Sequence, residues 1–279
     1  MVMNVGIIGL GLIGGSLAKS LKENTGHTVW GYDIDPTVIS RAMLCEAIDE
    51  PLIPSRLSLC DVVLIALYPS LCVDYVRENA HAFSPNALVI DCAGVKRAVC
   101  SPIQEIAKEH DWQYIGGHPM AGREFSGFNH AQGDLFNKAS MILTPDGDIS
   151  VQTRILLKEF FLEAGFASVR FTTPDEHDSM IAYTSQLAHI VSGAYVKNPL
   201  SNQHKGFSAG SFQDMTRVAK LNEGMWTELM MDNADLLVPS IDDLIFRLSQ
   251  YRDALEKRDE QKLYELLKEG RIMKENLLK

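Results

Sequence analysis

Short apolar runs recur seven times in the first 173 residues, and segments of helical length separate most of them. The runs cover residues 4–9, 28–33, 61–67, 87–92, 113–117, 140–145 and 167–172. Strands that alternate with helices in this way form βαβ units, in which the strands lie parallel in one sheet. Near-continuous apolar runs such as VVLIAL are typical of strands that helices cover on both faces. The pattern therefore predicts an α/β fold with a doubly wound, mainly parallel sheet in residues 1–173.

The remaining residues, 174–279, contain no convincing strand and show helical spacing instead. Apolar residues recur at intervals of three and four between Leu236 and Leu248, which is the spacing of a buried helix face. Pro239 lies inside this segment, and we expect it to kink or break the helix. No Gly/Ser/Pro-rich linker separates the two parts. We therefore predict a domain boundary near residue 173, between the α/β domain (1–173) and an all-helical domain (174–279).

The composition argues against several classes of function. The formal net charge of −10 disfavours non-specific nucleic-acid binding, which requires a basic surface. The sequence has no uncharged apolar run of about 18 residues or more, so we expect no membrane-spanning segment. The five cysteines form no C-x-x-C pair, and we interpret them as reduced thiols of a cytoplasmic protein without a metal site.

The segment GLGLIG, Gly9 to Gly14, follows the first predicted strand and precedes a predicted helix. In this position a G-x-G-x-x-G pattern predicts a dinucleotide site. Gly9 would form the tight turn, Gly11 would let the backbone approach a pyrophosphate, and Gly14 would let helix and strand pack closely. Leu12 and Ile13 complete the loop at the start of the helix, where free N–H groups favour anions.

Asp33 stands at the end of the second predicted strand, 24 residues after Gly9. A carboxylate there can accept hydrogen bonds from the ribose hydroxyls of the adenosine, and it repels a 2′-phosphate. The sequence therefore predicts NAD as the cofactor in preference to NADP. The plainer alternative is a turn-forming aspartate, although Asp35, which precedes Pro36, is the better candidate for a helix N-cap.

Four further stretches place polar residues where a plain core would not need them. They are DCAGVKR (91–97), GGHPMAGRE (116–124), DEHDSMIAYTSQLAH (175–189) and GSFQDMTRVAKLNEGMW (210–226). In the second stretch, His118 opens a glycine-containing loop directly after a predicted strand. In the third, His177, Ser185 and His189 recur at multiples of four and therefore share one helix face. A helix N-cap region remains an alternative explanation for the start of the third stretch, and a solvated helix face remains one for the fourth.

In this order, the blocks resemble the prephenate and arogenate dehydrogenases of tyrosine biosynthesis over nearly the whole chain. Besides the glycine motif, the similarity rests on HPMAG, EHD before the first helix of the second domain, TSQLAH, and the block DMTRVAKLNEGMW. It implies a Rossmann-type domain followed by a helical dimerisation domain, a homodimer, and an active site between the domains. It also implies NAD-dependent oxidative decarboxylation of prephenate to 4-hydroxyphenylpyruvate, in which hydride leaves the carbinol carbon and the ring carboxylate departs as carbon dioxide.

The resemblance assigns roles to individual residues. His118 matches the catalytic histidine, which accepts the proton of the ring hydroxyl. Arg217 matches the arginine that binds a substrate carboxylate, and His189 matches a histidine of the substrate pocket. We expect both to be catalytic residues as well. Ser185 is expected in the substrate site, and Asp214 is expected to orient Arg217 or His189.

Two places depart from the family's pattern. Gly94 stands where the D-x-x-S-x-K motif of the family has a serine that meets the substrate hydroxyl. In the S-H-L-P-H segment, Gln186 replaces the first histidine and Ala188 replaces the proline. Position 94 is still expected to contact the substrate, but the sequence does not say what orients the substrate hydroxyl there. The base itself, His118, is retained.

Three alternatives stay open from the sequence. Arogenate dehydrogenase shares the fold and chemistry, but it would need an acceptor for the substrate's ammonium group, and the sequence does not identify one. A β-hydroxyacid dehydrogenase or imine reductase would rely on a lysine or other donor on the first helix of the second domain, yet residues 175–196 contain no lysine. A non-catalytic NAD-binding sensor would fit Gly94, but it would not need His118, His189 and Arg217 together.

Overall fold

The computed structural model describes residues 2–123, 125–147 and 149–277. The ends of the two predicted domains, Met1 and residues 278–279, therefore lie outside the described residues. Glu124, the last residue of the second polar stretch, also lies outside them.

An eight-stranded sheet forms the centre of the N-terminal part, with the strand order β3-β2-β1-β4-β5-β6-β7-β8. The strands are β1 (Asn4–Ile8), β2 (Thr28–Tyr32), β3 (Glu50–Pro51), β4 (Val62–Ile65), β5 (Leu88–Asp91), β6 (Gln113–Pro119), β7 (Ser140–Pro145) and β8 (Ser168–Phe171). The pair β6–β7 is antiparallel, and all other neighbouring strands are parallel. The predicted fold class and all seven predicted strands are confirmed. Strand β3 was not predicted, because two residues at a sheet edge carry no readable periodicity.

Helices cover both faces of the sheet. They are α1 (Leu12–Asn24), α2 (Pro36–Leu44), α3 (Pro54–Leu57), α4 (Pro69–Asn79), α5 (Arg97–Ala107) and α6 (Val151–Glu163). Alternate residues of β4 face opposite layers: Leu64 packs with α1, α2 and α6, whereas Val63 and Ile65 pack with α3, α4 and α5. All three side chains are fully buried, which explains why this strand is apolar at every position.

The strand order changes direction between β2-β1 and β4-β5, and the register brings their carboxyl ends to one edge. Ile8 at the end of β1 pairs with Ile65 of β4, which in turn pairs with Asp91 of β5. The loops that follow these strands therefore emerge side by side. In open α/β sheets this is where ligands bind.

The C-terminal part is helical and begins with α7 at Pro174. Its helices are α7 (Pro174–Ile181), α8 (Leu187–Val196), α9 (Gly210–Thr216), α10 (Glu223–Met231), α11 (Ala234–Glu256) and α12 (Glu260–Asn276). A π-helical turn, Ala182–Gln186, joins α7 to α8. The sheet ends at Phe171, before α7. The exact domain boundary at residue 173 stays a prediction.

The expectation was a kink or a break at Pro239. The break is wrong, because α11 runs without interruption through this residue, and the kink stays a prediction. A proline disturbs a helix through its missing N–H and through a clash with the preceding turn, and here only the second turn of a 23-residue helix is affected. Leu237, just before the proline, is buried against Ala182 and Leu187 and holds this end of the helix in the core. Within the described residues, no helix has the length and apolar character needed to cross a membrane.

Candidate active site

A cavity of about 720 Å³ lies between the carboxyl edge of the sheet and the helical part. Loops after β1, β4, β5 and β6 form one wall, and residues of the π-helical turn, α8, α10 and the segment before α10 form the other. Of the predicted site residues, eight line it: Gly11, Leu12, Ile13, Gly94, His118, Ser185, His189 and Arg217. Gly9, Gly14, Asp33 and Asp214 are not among the lining residues.

The glycine loop has the backbone that its motif predicts. Gly9 has a positive φ of 85°, and an added Cβ there would lie 2.6 Å from the Ala66 carbonyl oxygen. An added Cβ at Gly14 would lie inside contact distance of the Gly9 carbonyl oxygen, so only glycine allows the helix to pack this closely. A Cβ at Gly11 would meet no atom of the described residues within 4 Å, because this position faces open space. The loop therefore leaves room for a ligand directly before α1.

The N-terminus of α1 lacks a side-chain cap and has no acidic residue in its first turn. Its free N–H groups and its dipole are therefore available to an anion. Asp33, which directly follows β2, stabilises the glycine loop. Its carboxylate accepts hydrogen bonds from the backbone N–H of Leu10 at 2.8 Å and of Asp35 at 3.0 Å. Asp35 caps α2 through the N–H of Thr37, as its position before Pro36 predicts.

His118 lies near the end of β6, and its ring is part of a hydrogen-bonded chain. Its Nδ1 lies 2.8 Å from Nε2 of His177, and Nδ1 of His177 lies 2.7 Å from Oδ1 of Asp178. A carboxylate accepts only, so Nδ1 of His177 carries the proton and its Nε2 must accept. Nδ1 of His118 is then the donor to His177. This tautomer, assigned from the hydrogen-bond pattern, leaves Nε2 of His118 as an unprotonated acceptor.

Asp178 anchors this chain to the N-terminal domain. Its two carboxylate oxygens accept hydrogen bonds from the backbone N–H groups of Lys96 and Arg97, at 2.8 and 2.9 Å, where α5 begins. Burial raises the pKa of Asp178, but its hydrogen bonds with His177 and these N–H groups outweigh burial and hold the pKa below the usual value. Asp178 is therefore a carboxylate at neutral pH, as the tautomer assignment requires.

A buried ion pair lies behind the strand that carries His118. Lys96 and Asp91 are both fully buried, and Nζ of Lys96 donates to the Asp91 carboxylate and to the carbonyl oxygen of Gly117. Asp91 also accepts from the hydroxyl of Tyr114 at 2.6 Å. Burial lowers the pKa of Lys96, but the adjacent Asp91 raises it above the ordinary lysine value, so the ammonium stays charged. The pair thus fixes the backbone one residue before His118.

The surroundings keep His118 neutral. Burial of its ring, the neighbouring His177 and the Lys96 ammonium all lower the pKa of His118 well below the ordinary imidazole value. Burial also lowers the pKa of His177, although the Asp178 carboxylate acts in the opposite direction. Both imidazoles are therefore neutral at physiological pH, and Nε2 of His118 can act as a base.

The π-helical turn sets the positions of the second-domain residues that line the cavity. Ser185 lies within the turn, and His189 follows one helical turn later with its Nδ1 2.9 Å from the Ser185 carbonyl oxygen. The ring of His189 packs on Trp226, with 3.8 Å between the ring centroids. Trp226 therefore contacts His189. Short π-helical turns inside α-helices often occur at functional sites.

Arg217 enters the cavity from the short segment between α9 and α10. Lys220 lies in the same segment, and its Nζ sits 4.9 Å from the centre of the Phe125 ring, across the cavity mouth. Asp214 is exposed and outside the cavity lining, and among the described contacts no hydrogen bond joins it to His189. Its role in orienting Arg217 or His189 stays a prediction.

Comparison with known proteins agrees with this architecture. A family model described as the nucleotide-binding domain of prephenate dehydrogenase matches residues 17–169, and one described as its dimerization domain matches residues 173–269. The prephenate dehydrogenase of Bacillus subtilis (strain 168) is 30% identical over 280 residues, which cover 97% of this chain and 75% of that protein. The chain belongs to the prephenate dehydrogenase family.

Two solved structures of the family share the fold over almost the full chain. Prephenate dehydrogenase from A. aeolicus, in complex with hydroxyphenyl propionate and NAD+, has a TM-score of 0.87 and 27% identity, with 99% of each chain covered. Arogenate dehydrogenase from Synechocystis has a TM-score of 0.83 and 26% identity, with 99% of this chain and 100% of that chain covered. The family resemblance inferred from the sequence is therefore confirmed.

Four residues that the sequence analysis left without a role in prephenate dehydrogenase chemistry are central to the site: Asp91, Lys96, His177 and Asp178. All four lie in the polar stretches noted above, but Lys96 and Asp178 are 82 positions apart along the chain. His177 and Asp178 fit a helix N-cap region equally well by sequence. One signal could have separated a role in the site from a role as a helix N-cap. Asp91 at the end of β5 and Lys96 at the start of α5 are polar residues beside buried segments, and such residues need buried partners.

Proposed function

We propose that the protein catalyses the NAD-dependent oxidative decarboxylation of prephenate to 4-hydroxyphenylpyruvate, a step of tyrosine biosynthesis. The observation that carries this proposal is the chain His118–His177–Asp178, which supplies a neutral base to a cavity that also contains the glycine loop and Arg217. Family membership supports it, as does the related structure from A. aeolicus with NAD+ and hydroxyphenyl propionate bound. The enzyme is thus an NAD-dependent oxidoreductase.

The residues around the glycine loop fit NAD. The open space at Gly11 and the uncapped start of α1, with Leu12 and Ile13, would receive the pyrophosphate. Asp33 has further lone pairs for the adenosine ribose besides the two hydrogen bonds that it accepts from the loop. When bound, NAD supplies the acceptor for the hydride that leaves the carbinol carbon of the substrate.

His118 takes the proton of the ring hydroxyl at Nε2 as the carbinol carbon becomes a carbonyl. The bond between the ring and its carboxylate breaks, its electron pair enters the ring, and carbon dioxide leaves. The resulting phenolate oxygen takes the proton back from Nε2 of His118, which gives the hydroxyl of 4-hydroxyphenylpyruvate. His177 holds the His118 ring in the tautomer that exposes the Nε2 lone pair, and it stabilises the imidazolium by accepting from Nδ1. Asp178 fixes the tautomer of His177 in turn.

Arg217 binds a carboxylate of the dianionic substrate, because a guanidinium can donate two parallel hydrogen bonds to one carboxylate. Ser185 and His189 offer further polar groups from the same wall of the cavity. The Trp226 ring packed on His189 limits the motion of that imidazole. These assignments place the substrate between the glycine loop and the helical part.

Arogenate is the second candidate substrate. Glu223 is the one carboxylate among the described residues that line the cavity, and it could accept a hydrogen bond from the ammonium group of arogenate. The structural similarity to the Synechocystis arogenate dehydrogenase favours the same alternative. The ratio of kcat/KM for prephenate and arogenate, each assayed with NAD, separates the two. Replacement of Glu223 with Gln should lower kcat/KM for arogenate and leave kcat/KM for prephenate unchanged if the carboxylate binds the ammonium group of arogenate.

We also propose that the protein is a cytoplasmic homodimer that associates through its helical domain. The family model over residues 173–269 describes a dimerization domain. Phe246, Leu255, Tyr264 and Leu267 of α11 and α12 are each more than half exposed, and association of two helical domains would bury them. Sedimentation at micromolar concentration should give a dimer, and a monomer would contradict the proposal.

The proposed reaction is tested by NADH formation with prephenate, arogenate and a β-hydroxyacid offered in turn. Prephenate should give the highest kcat/KM. The variant His118→Asn should lose at least about a hundredfold in turnover, the scale of a positioned acid–base group. NAD affinity, measured by fluorescence quenching, should stay unchanged, and the variant His81→Asn, at an exposed position, serves as the control. Near-normal turnover of His118→Asn would remove this histidine from the mechanism.

A further inference from the structure

The two places where the sequence departs from the family's motifs converge on one residue, Leu229 on α10. A Cβ built at Gly94 would lie 3.1 Å from Cδ2 and 3.3 Å from Cδ1 of Leu229. Gly94 does not have a positive φ, so its backbone conformation does not itself require glycine. The limit on position 94 is therefore space, and Leu229 fills that space.

Gln186, the second departure, holds the backbone of Leu229. Its Nε2 donates to the Leu229 carbonyl oxygen at 2.8 Å, and its Oε1 accepts from Nδ2 of Asn233 at 2.9 Å. Asn233 also donates to the carbonyl oxygen of Asp178 at 2.9 Å. Gln186 and Asn233 are buried, so this amide network cannot exchange its bonds for water without cost. Leu229 is itself buried and has little freedom to move away from Gly94.

Position 94 matters for chemistry because of where it lies. It follows β5, the neighbour of the strand that carries His118, and Gly94, Leu229 and His118 all line the cavity. With glycine at 94 and leucine opposite, these two positions offer no side-chain hydrogen-bonding group. A substrate hydroxyl that approaches them finds no side-chain hydrogen-bond partner on that side.

We propose that Leu229 is a positioning residue of the active site, which takes the volume of a side chain at position 94 and presents an apolar wall that directs the substrate hydroxyl to His118. The proposal rests on the proposed function, because it concerns the hydroxyl of that substrate. Gly94 and Leu229 are then a matched pair, and Gln186 keeps Leu229 in place. A single hydrogen-bond partner for the reacting hydroxyl replaces the two partners expected from the family's serine and histidine.

The test is a set of substitutions at the two positions. Gly94→Ala adds the Cβ alone, and Gly94→Ser adds the Cβ and a hydroxyl, so both should displace Leu229. Each should lower kcat for prephenate by about tenfold or more, since small displacements of reacting groups have effects of this size or larger. Removing the obstacle in the double variant Gly94→Ser/Leu229→Ala should recover most of that loss. Gly26→Ser is the matched control, because an added Cβ there meets nothing within 4 Å.

Turnover is referred to the folded fraction of each variant, so that loss of fold and loss of positioning are separated. The proposal is overturned if Gly94→Ser keeps wild-type kcat, or if the double variant is no better than Gly94→Ser. It is also overturned if Gly94→Ser lowers the unfolding midpoint and the double variant restores it while kcat of the folded enzyme is unchanged, because Leu229 would then be structural only.

The proposed function fails separately, if the wild-type enzyme does not turn over prephenate. In that case the same variants are assayed with whichever substrate the wild-type enzyme oxidises, and the recovery of kcat in the double variant decides the role of Leu229. Without any such recovery the positioning role is rejected, independently of the identity of the substrate.

Discussion

The two ends of the cavity are built in different ways. The dinucleotide end consists of neighbours in sequence, Gly9 to Gly14, and it acts mainly through backbone groups and open space. The catalytic end brings together Asp91, Lys96, His118, His177 and Asp178 from both parts of the chain, and it acts through side chains whose bonds depend on one another. A local motif therefore specifies the first end, whereas tertiary structure creates the second. Changes at the catalytic end should spread through the network, and changes at the dinucleotide end should stay local.

The largest effect is expected at Lys96. In Lys96→Met the Asp91 carboxylate would remain buried without its cation, and the loss of one partner of a buried pair costs about 3–5 kcal/mol in the free energy of unfolding. Because Lys96 also holds the Gly117 carbonyl, turnover should fall in the fraction that stays folded. Denaturant unfolding and initial rates measure the two effects.

The control for Lys96 is Lys108→Met, which removes an exposed lysine paired with Glu105 on the surface. Its unfolding midpoint should hardly change, because exposed pairs contribute little. Equal midpoints for Lys96→Met and the wild type would show that the buried pair is not needed, and the description of a coupled catalytic end would be wrong.

The sequence made the dinucleotide end and the sheet predictable, and the reasons are physical. Strand periodicity and the glycine pattern arise within about 35 residues, and the strand β4 shows its burial directly in VVLI. The partners of His118 could not be found in this way, because His177 is 59 positions away and meets it only when α7 docks on the sheet. Family resemblance supplied His118 and Arg217, but it gave no reason for their neighbours.

The next effect concerns Arg217, at the catalytic end. Arg217→Ala should weaken prephenate binding by about 1.5–3 kcal/mol, the range for hydrogen bonds to charged groups, because Arg217 is exposed in the cavity. Arg217→Lys keeps the charge but loses the paired geometry, so KM should rise much more than kcat falls. Initial rates with prephenate report on the catalytic end of the cavity, and fluorescence titration with NAD reports on the dinucleotide end. A collapse of NAD affinity at unchanged KM for prephenate would assign Arg217 to the cofactor site instead.

A smaller effect is expected at the dinucleotide end. Asp33→Asn keeps an oxygen that can accept from the Leu10 N–H, but it removes the charge that repels a 2′-phosphate. The ratio of kcat/KM with NADP to that with NAD should rise by about tenfold or more, because interactions with charged groups contribute about 1.5–3 kcal/mol and about 1.4 kcal/mol corresponds to tenfold. KM for prephenate should stay the same, because the change is local. A wild-type enzyme that already prefers NADP would show that Asp33 does not select the cofactor.

The smallest effect is a displacement of the pH profile, and it distinguishes an ordinary histidine from one held in the catalytic network. In the proposed mechanism His118 acts as a base only when it is neutral, and burial, His177 and Lys96 lower its pKa. As the pH falls through about 6.5, the ordinary imidazole value, the base should therefore stay active, and kcat/KM should decline only at lower pH.

The pH profile must be compared with the folded fraction at each pH, because the buried His27 also affects stability. Burial lowers the pKa of His27, so this residue favours the unfolded state once the pH falls below the ordinary histidine value. An acid limb centred at or above about 6.5, in enzyme that remains folded, would mean that the imidazole titrates as an isolated surface group would. The network around His118 would then hold the ring in place without lowering its pKa.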